Sequence, residues 1–149
     1  MNFFKNLFKK GDTNPETPSF QASKLQTAIS KILVRTAKID DDFHILEENK
    51  ILDLLQSYFE LNSFEAQSLL EIAIKEEENA TDLYAYTNVI KKELALYDRK
   101  KIIQMMWEII ITDEDFDPYE NNLVWRVAEL IGISTRERVQ IKKDFLSKI

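Results

Sequence analysis

Apolar residues return every three or four positions in seven stretches of this chain. That period is typical of an amphipathic α-helix, which turns one apolar face toward a core. The first stretch covers roughly residues 20–39, the second roughly 45–60 and the last roughly 135–148. Only two glycines and three prolines interrupt the chain, too few for the many turns of a sandwich or barrel. The pattern therefore predicts an all-α fold, a compact bundle of about seven helices.

Polar residues predict where several of these helices begin. Two pairs have the three-residue spacing of a capping box: Asn62 with Glu65, and Ser134 with Glu137. Two single residues are predicted to cap the fourth and fifth helices: Thr81 and Asp98.

The sixth helix has the strongest predicted start. Asp117 suits the N-cap, Pro118 the first helical position, and Glu120 lies three residues beyond the cap. Gly132 is predicted to end this helix in the left-handed conformation.

Two acidic breaks between helices resemble each other. Asp42 and Glu47 in the first break have counterparts in Asp115 and Glu120, in both cases 73 residues later. A helix precedes each break, and a helix, a cap and another helix follow it. The sequence thus predicts a pseudo-symmetric internal repeat.

The acidic breaks are the best candidate for a binding site. Carboxylate oxygens suit hard cations such as calcium, magnesium or manganese. Six side chains are candidate metal ligands: Asp40, Asp42, Glu47, Asp113, Asp115 and Glu120. Acids in a first helical turn also act as caps with no ion present, so capping alone stays open as an alternative. Neither loop is an EF-hand, because the sixth position is Ile45 counted from Asp40 and Pro118 counted from Asp113, and not glycine.

Catalytic motifs are missing from the sequence. His44 is the only histidine, and we expect it to begin a helix. The sequence holds no Glu-x-x-His pair for a di-iron site, no glycine-rich phosphate loop and no nucleophile elbow. We therefore expect no enzymatic activity and no cofactor other than a divalent cation.

The two tryptophans are expected to differ in exposure. Trp107 lies within an apolar run and is predicted to be core. Trp125 has Arg126 and Glu129 as neighbours, which predicts a partly exposed face.

Composition limits the remaining possibilities. A chain of 149 residues with 44% hydrophobic residues suits one domain with one core. The net charge of -6 repels a phosphate backbone, which argues against nucleic-acid binding. Without cysteine the chain forms neither disulfides nor thiolate zinc sites, and no apolar stretch approaches membrane-helix length. We expect a cytoplasmic protein.

The first residues differ from the rest. Residues 1–10 form a basic amphipathic segment, residues 11–19 read as a linker, and the folded domain is predicted over 20–149. The apolar side of the segment carries Phe3, Phe4, Leu7 and Phe8. We expect this segment to dock on a partner protein, with an anionic membrane as the alternative.

The stretch from Asp82 to Phe145 resembles the TerB-like family of bacterial proteins linked to tellurite resistance. The resemblance rests on DLYAYT at 82–87, YDR at 97–99, MW at 106–107, DEDFDPYE at 113–120 and RVAEL at 126–130. Together with the first acidic loop, the similarity covers roughly residues 20–147.

This resemblance implies a bundle of about seven helices with internal pseudo-symmetry, a role in bacterial stress responses, and divalent-cation binding. By position, the acidic residues of the family fall on Asp40, Glu47, Asp113 and Glu120. The family usually has glycine directly after the first Asp of each loop, whereas this chain has Asp41 and Glu114. Two functions stay open: a cation-responsive binding module, or an interaction domain whose acidic loops only cap helices.

Overall fold

This computed structural model describes residues 20–39, 45–79, 82–112 and 118–148. These residues contain seven α-helices and no strand. In chain order the helices are α1 (Lys24–Ala37), α2 (Ile45–Phe59), α3 (Ser63–Asn79), α4 (Leu83–Glu93), α5 (Leu96–Ile110), α6 (Pro118–Leu130) and α7 (Thr135–Leu146). The predicted all-α bundle is confirmed. No helix in the described ranges combines the length and apolarity needed to cross a bilayer.

The capping boxes predicted for α3 and α7 are present. At α3, Glu65 N–H donates to Asn62 Oδ1 at 2.8 Å, and Asn62 N–H donates to Glu65 Oε1 at 3.0 Å. Ser134 and Glu137 make the same reciprocal pair at 3.0 and 3.1 Å. Each pair satisfies two of the amide donors that a helix start leaves without intrahelical partners.

The start of α1 lies later than predicted. The helix begins at Lys24, because Ser23 and Gln26 form a third capping box before it. Phe20 still packs against the core although it precedes the helix. Its apolar side chain extended the helical pattern toward the N-terminus and misplaced the predicted boundary.

Two predicted caps are wrong. The cap of α4 is Asp82 and not Thr81, since Asp82 Oδ1 accepts a hydrogen bond from Tyr84 N–H at 2.9 Å. Helix α5 begins after Ala95, which makes no side-chain cap, so Asp98 lies inside the first turn. Leu94 is buried and extended between α4 and α5. Helix α5 then begins at Leu96, two residues before Asp98.

Helix α1 lies at the centre of the bundle and packs against α2, α3, α4 and α5. Its buried residues cover most of its circumference, and they include two hydroxyls. Ser30 Oγ donates to the Gln26 carbonyl at 2.7 Å, and Thr36 Oγ1 donates to the Ile32 carbonyl at 2.8 Å. Because each hydroxyl bonds back to its own helix, polar side chains are accommodated in the core.

The repeat predicted from the sequence is visible in the helix boundaries. Ala37 ends α1 and Ile110 ends α5, 73 residues later. The starts of α2 and α6 are also 73 residues apart, and those of α3 and α7 are 72 apart. Helix α4 connects the two halves. It packs against α1 of the first and α6 of the second.

Candidate functional site

Four helices of the repeat have a glutamate as their third residue: Glu47 in α2, Glu65 in α3, Glu120 in α6 and Glu137 in α7. This is the position from which a side chain reaches back to the N-cap amide. The four glutamates therefore start from the same local geometry. Differences between them must come from what surrounds each helix start.

Glu65 and Glu137 act as capping residues at the surface. Their capping bonds are exposed, and Glu137 also lies 3.2 Å from Lys100 Nζ. Hydrogen bonds from the backbone and hydroxyl of Ser134, with help from Lys100, lower the pKa of Glu137 to about 2. Both residues show that the capping role leaves the carboxylate accessible to water.

Glu47 and Glu120 are buried instead, with 5% and 4% of their surface exposed. They are the two glutamates that directly follow the acidic loops. A carboxylate removed from water needs hydrogen bonds or a cation in compensation, and the cost of burial otherwise protonates it. The structure thus distinguishes the two buried loop glutamates from the two at exposed helix starts.

The described residues do not include the other four candidate ligands, which are Asp40, Asp42, Asp113 and Asp115. His44 also lies outside them. So does Asp117, the predicted capping partner of Glu120. Within the described ranges, no group of three or more acidic or histidine side chains is placed to hold a metal ion. The described residues supply one buried carboxylate next to each loop.

The donor chemistry of these residues fits a hard divalent cation. Calcium takes six to eight oxygen ligands and magnesium takes six. Among the described residues, Glu47 and Glu120 could each provide one such carboxylate.

The tryptophans lie as predicted. Trp107 is 2% exposed in the core, and Trp125 is 42% exposed on α6. Lys142 Nζ lies 5.0 Å from the centre of the Trp107 ring, so a cation covers the edge of the core there.

A feature that the sequence did not suggest is a cleft of about 830 Å³ between the end of α1 and one face of α6. Arg35 and Arg126 line it from these two helices. Arg126 begins the RVAEL stretch at 126–130, but that stretch did not indicate a cavity, and Arg35 belongs to no recognisable motif. Only the packing of the helices brings them to one cavity.

Comparison with solved structures places this fold beside an uncharacterised protein. A crystal structure of a protein of unknown function from Porphyromonas gingivalis W83 superposes with a TM-score of 0.59. It is 16% identical in sequence, and the match covers 87% of this chain and 96% of that one. At this identity the likeness shows the fold alone. No functionally curated protein matches the sequence.

Family membership follows from the sequence. Residues 26–143 match the family described as tellurite resistance protein TerB, a span that runs from the first turn of α1 into the last turn of α7. It includes both acidic breaks and nearly all of the repeat. The chain belongs to the TerB family.

Proposed function

We propose that this TerB domain is a binding module that responds to divalent cations through Glu47 and Glu120. The observation that carries the proposal is the contrast among four equivalent glutamates. The two that cap exposed helix starts are accessible, and the two beside the acidic loops are buried. Capping alone does not require that burial.

The bound cation would supply positive charge and a common point of attachment for loop and helix oxygens. Glu47 and Glu120 anchor such a site to the first turns of α2 and α6. Their position near the helix N-termini favours the ionised form of each carboxylate. Since each loop joins two packed helices, occupancy would stiffen the connections from α1 to α2 and from α5 to α6.

A second function is favoured by exposed aromatic side chains. Phe64, Tyr97 and Tyr119 are each more than 60% exposed. Aromatic residues of this kind are enriched where proteins bind one another. In this alternative the domain is an adaptor for a partner protein, and the acidic loops only cap helices.

Calorimetric titration of the metal-stripped full chain with calcium, magnesium, manganese and zinc separates the two functions. We expect saturable binding of at least one cation. Glu120→Gln and Glu47→Gln should each weaken it about tenfold or more, because a charge-assisted contact contributes roughly 1.5–3 kcal/mol. Asp113→Asn tests the loop in the same way.

Glu65→Gln is the matched control, because it makes the same chemical change at the same helix position on an exposed cap. Its affinity should equal that of the unaltered chain. An absence of heat with all four cations would overturn the cation proposal and leave the adaptor function. Equal losses in the control and in Glu120→Gln would show that binding is not located at the loops.

A further inference from the structure

The two halves of the repeat differ in their described residues at the cleft between α1 and α6. The residue 73 positions after Arg35 is Glu108, and the residue 73 positions before Leu123 is Lys50. Lys50 Nζ lies 3.9 Å from Glu108 Oε1, and α2 packs directly against α5 there. Helix α6 instead packs on α4, α5 and α7, and leaves the cleft open toward α1.

Two arginines line the open cleft, and in the repeat Arg35 corresponds to Glu108 and Arg126 to Asp53. Arg35 is half-buried, and its Nη1 donates to the Tyr86 hydroxyl at 3.4 Å. Arg126 is exposed on α6. Within the described part of the chain, neither guanidinium has a carboxylate within 4.0 Å.

The acidic residues of the cleft are already compensated by a lysine. Lys38 Nζ lies 3.2 Å from Glu77 Oε2 and 4.0 Å from Glu78 Oε1. Among the described residues that line the cleft, three charged side chains are cationic and two are anionic. This excess of positive charge among the described lining residues is opposite in sign to the net -6 of the chain.

We infer that this cleft binds a small molecule carrying an oxyanion, a phosphate or carboxylate group held between Arg35 and Arg126. Guanidinium groups match the two oxygens of such groups in a planar, bidentate geometry. The Asn122 amide offers a further donor on the α6 wall, and Ile39 with Leu123 offers apolar surface for a carbon skeleton. The volume of about 830 Å³ lies within the range of small-molecule sites.

The test is an NMR titration of the ¹⁵N-labelled full chain with inorganic phosphate and, separately, with citrate. Sodium chloride keeps the ionic strength constant, and passage of protein and buffers over a chelating resin beforehand removes divalent cations, so that neither the cation proposal nor a dissolved chelator plays a part. We expect saturable shifts of the Arg35 and Arg126 side-chain Nε–H signals and of amides along residues 119–126. A response to phosphate alone assigns a phosphorylated ligand, and a response to citrate alone assigns a polycarboxylate.

Arg126→Gln should weaken binding about tenfold, the loss expected for one charge-assisted contact. Arg35→Lys retains the charge but removes the planar guanidinium, so it should also weaken binding. An unchanged melting temperature would show that this variant is folded. Arg136→Gln, at the exposed start of α7 outside the cleft, is the control with the same charge change. The inference is overturned if neither anion gives saturable shifts, or if the control variant loses as much affinity as Arg126→Gln.

Discussion

The Arg99 guanidinium donates a hydrogen bond from Nη1 to the carbonyl oxygen of Ile131 at 2.6 Å. The same nitrogen lies 3.2 Å from the Gly132 carbonyl, and Nε donates to the Leu94 carbonyl at 3.1 Å. Leu94 follows α4, and Ile131 follows α6. The last carbonyls of a helix lack intrahelical donors, so one guanidinium caps the ends of two helices and ties them together.

Replacing Gly132 with alanine should destabilise the domain through this contact. Gly132 has φ +78°, which an L side chain rarely adopts, and an added Cβ would lie 2.8 Å from Arg99 Nη1. Backbone strain and the displaced guanidinium together should lower the free energy of unfolding by about 1–3 kcal/mol. Urea denaturation followed by circular dichroism measures this.

A double-mutant cycle with Arg99→Lys identifies the cause. If the alanine acts by displacing Arg99, the two substitutions together should cost clearly less than the sum of their separate costs. Additive costs would mean that backbone strain alone accounts for the effect of the alanine.

Trp107 should tolerate phenylalanine far better than alanine. Its Nε1 is buried and has no hydrogen-bond partner among the described residues. Phenylalanine removes that donor, which offsets part of the lost volume, and it retains a ring beneath Lys142. We expect a cost below about 1.5 kcal/mol for Trp107→Phe and about 3–5 kcal/mol for Trp107→Ala in urea denaturation.

Trp125→Phe is the reference for these tryptophan variants. Because Trp125 is exposed on α6, its substitution should change stability by less than about 0.5 kcal/mol. A large cost for Trp107→Phe would show that the indole N–H is satisfied in solution, for example by a buried water molecule.

The contribution of the Glu137 charge should depend on pH in a defined window. The capping bonds hold its pKa at about 2, below the ordinary value of 4.5. A carboxylate with a lowered folded pKa stabilises the native state above its unfolded pKa and loses that contribution as pH falls through the folded pKa. The stability difference between the unaltered chain and Glu137→Gln should therefore be constant above about pH 4.5 and vanish toward pH 2.

Glutamine suits this test because a capping box accepts Gln at the third position, as Gln26 shows in α1. The variant thus removes the charge and retains the geometry. Thermal melts at intervals of pH provide the measurement, with Glu129→Gln as an exposed control on α6. A difference that grows as pH falls would contradict the assigned direction of the shift.

The elements of the fold were predictable because their signals are local. A capping box such as Ser134 with Glu137 needs only four consecutive residues, and a helical face needs only the spacing of its apolar positions. Thr81 and Asp82 are both good N-caps, however, so the sequence alone did not decide between them. Ala95 carries no side-chain cap at all, which made Asp98 the more attractive prediction.

The sites were less predictable because they depend on distances between helices. The repeat located Glu47 and Glu120 but gave no reason for them to be more buried than Glu65. Burial depends on which helix each first turn faces. The cleft at Arg35 and Arg126 depends on a break in the pseudo-symmetry, which no local pattern encodes.

Removal of residues 1–18 should leave the stability of the domain nearly unchanged. The buried core begins at Leu25 with Phe20 packed against it, and the expectation rests on the proposal that residues 1–10 dock on a partner protein. We therefore expect the melting temperature to change by less than about 2 °C, since 1 kcal/mol corresponds to roughly 2–4 °C in a domain of this size. A larger drop would mean that residues 1–10 pack on their own bundle.

The same truncation distinguishes a partner protein from a membrane. Burying each phenylalanine of residues 1–10 stabilises a complex by roughly 1.5–3 kcal/mol, so the segment favours an apolar surface over water. Lys5, Lys9 and Lys10 would attract it to an anionic bilayer. The remainder of the chain, however, carries more negative charge than the -6 of the whole and is repelled by that surface. We expect no co-sedimentation of the full chain with anionic vesicles. Co-sedimentation that is lost when residues 1–18 are removed would favour a membrane over a protein partner.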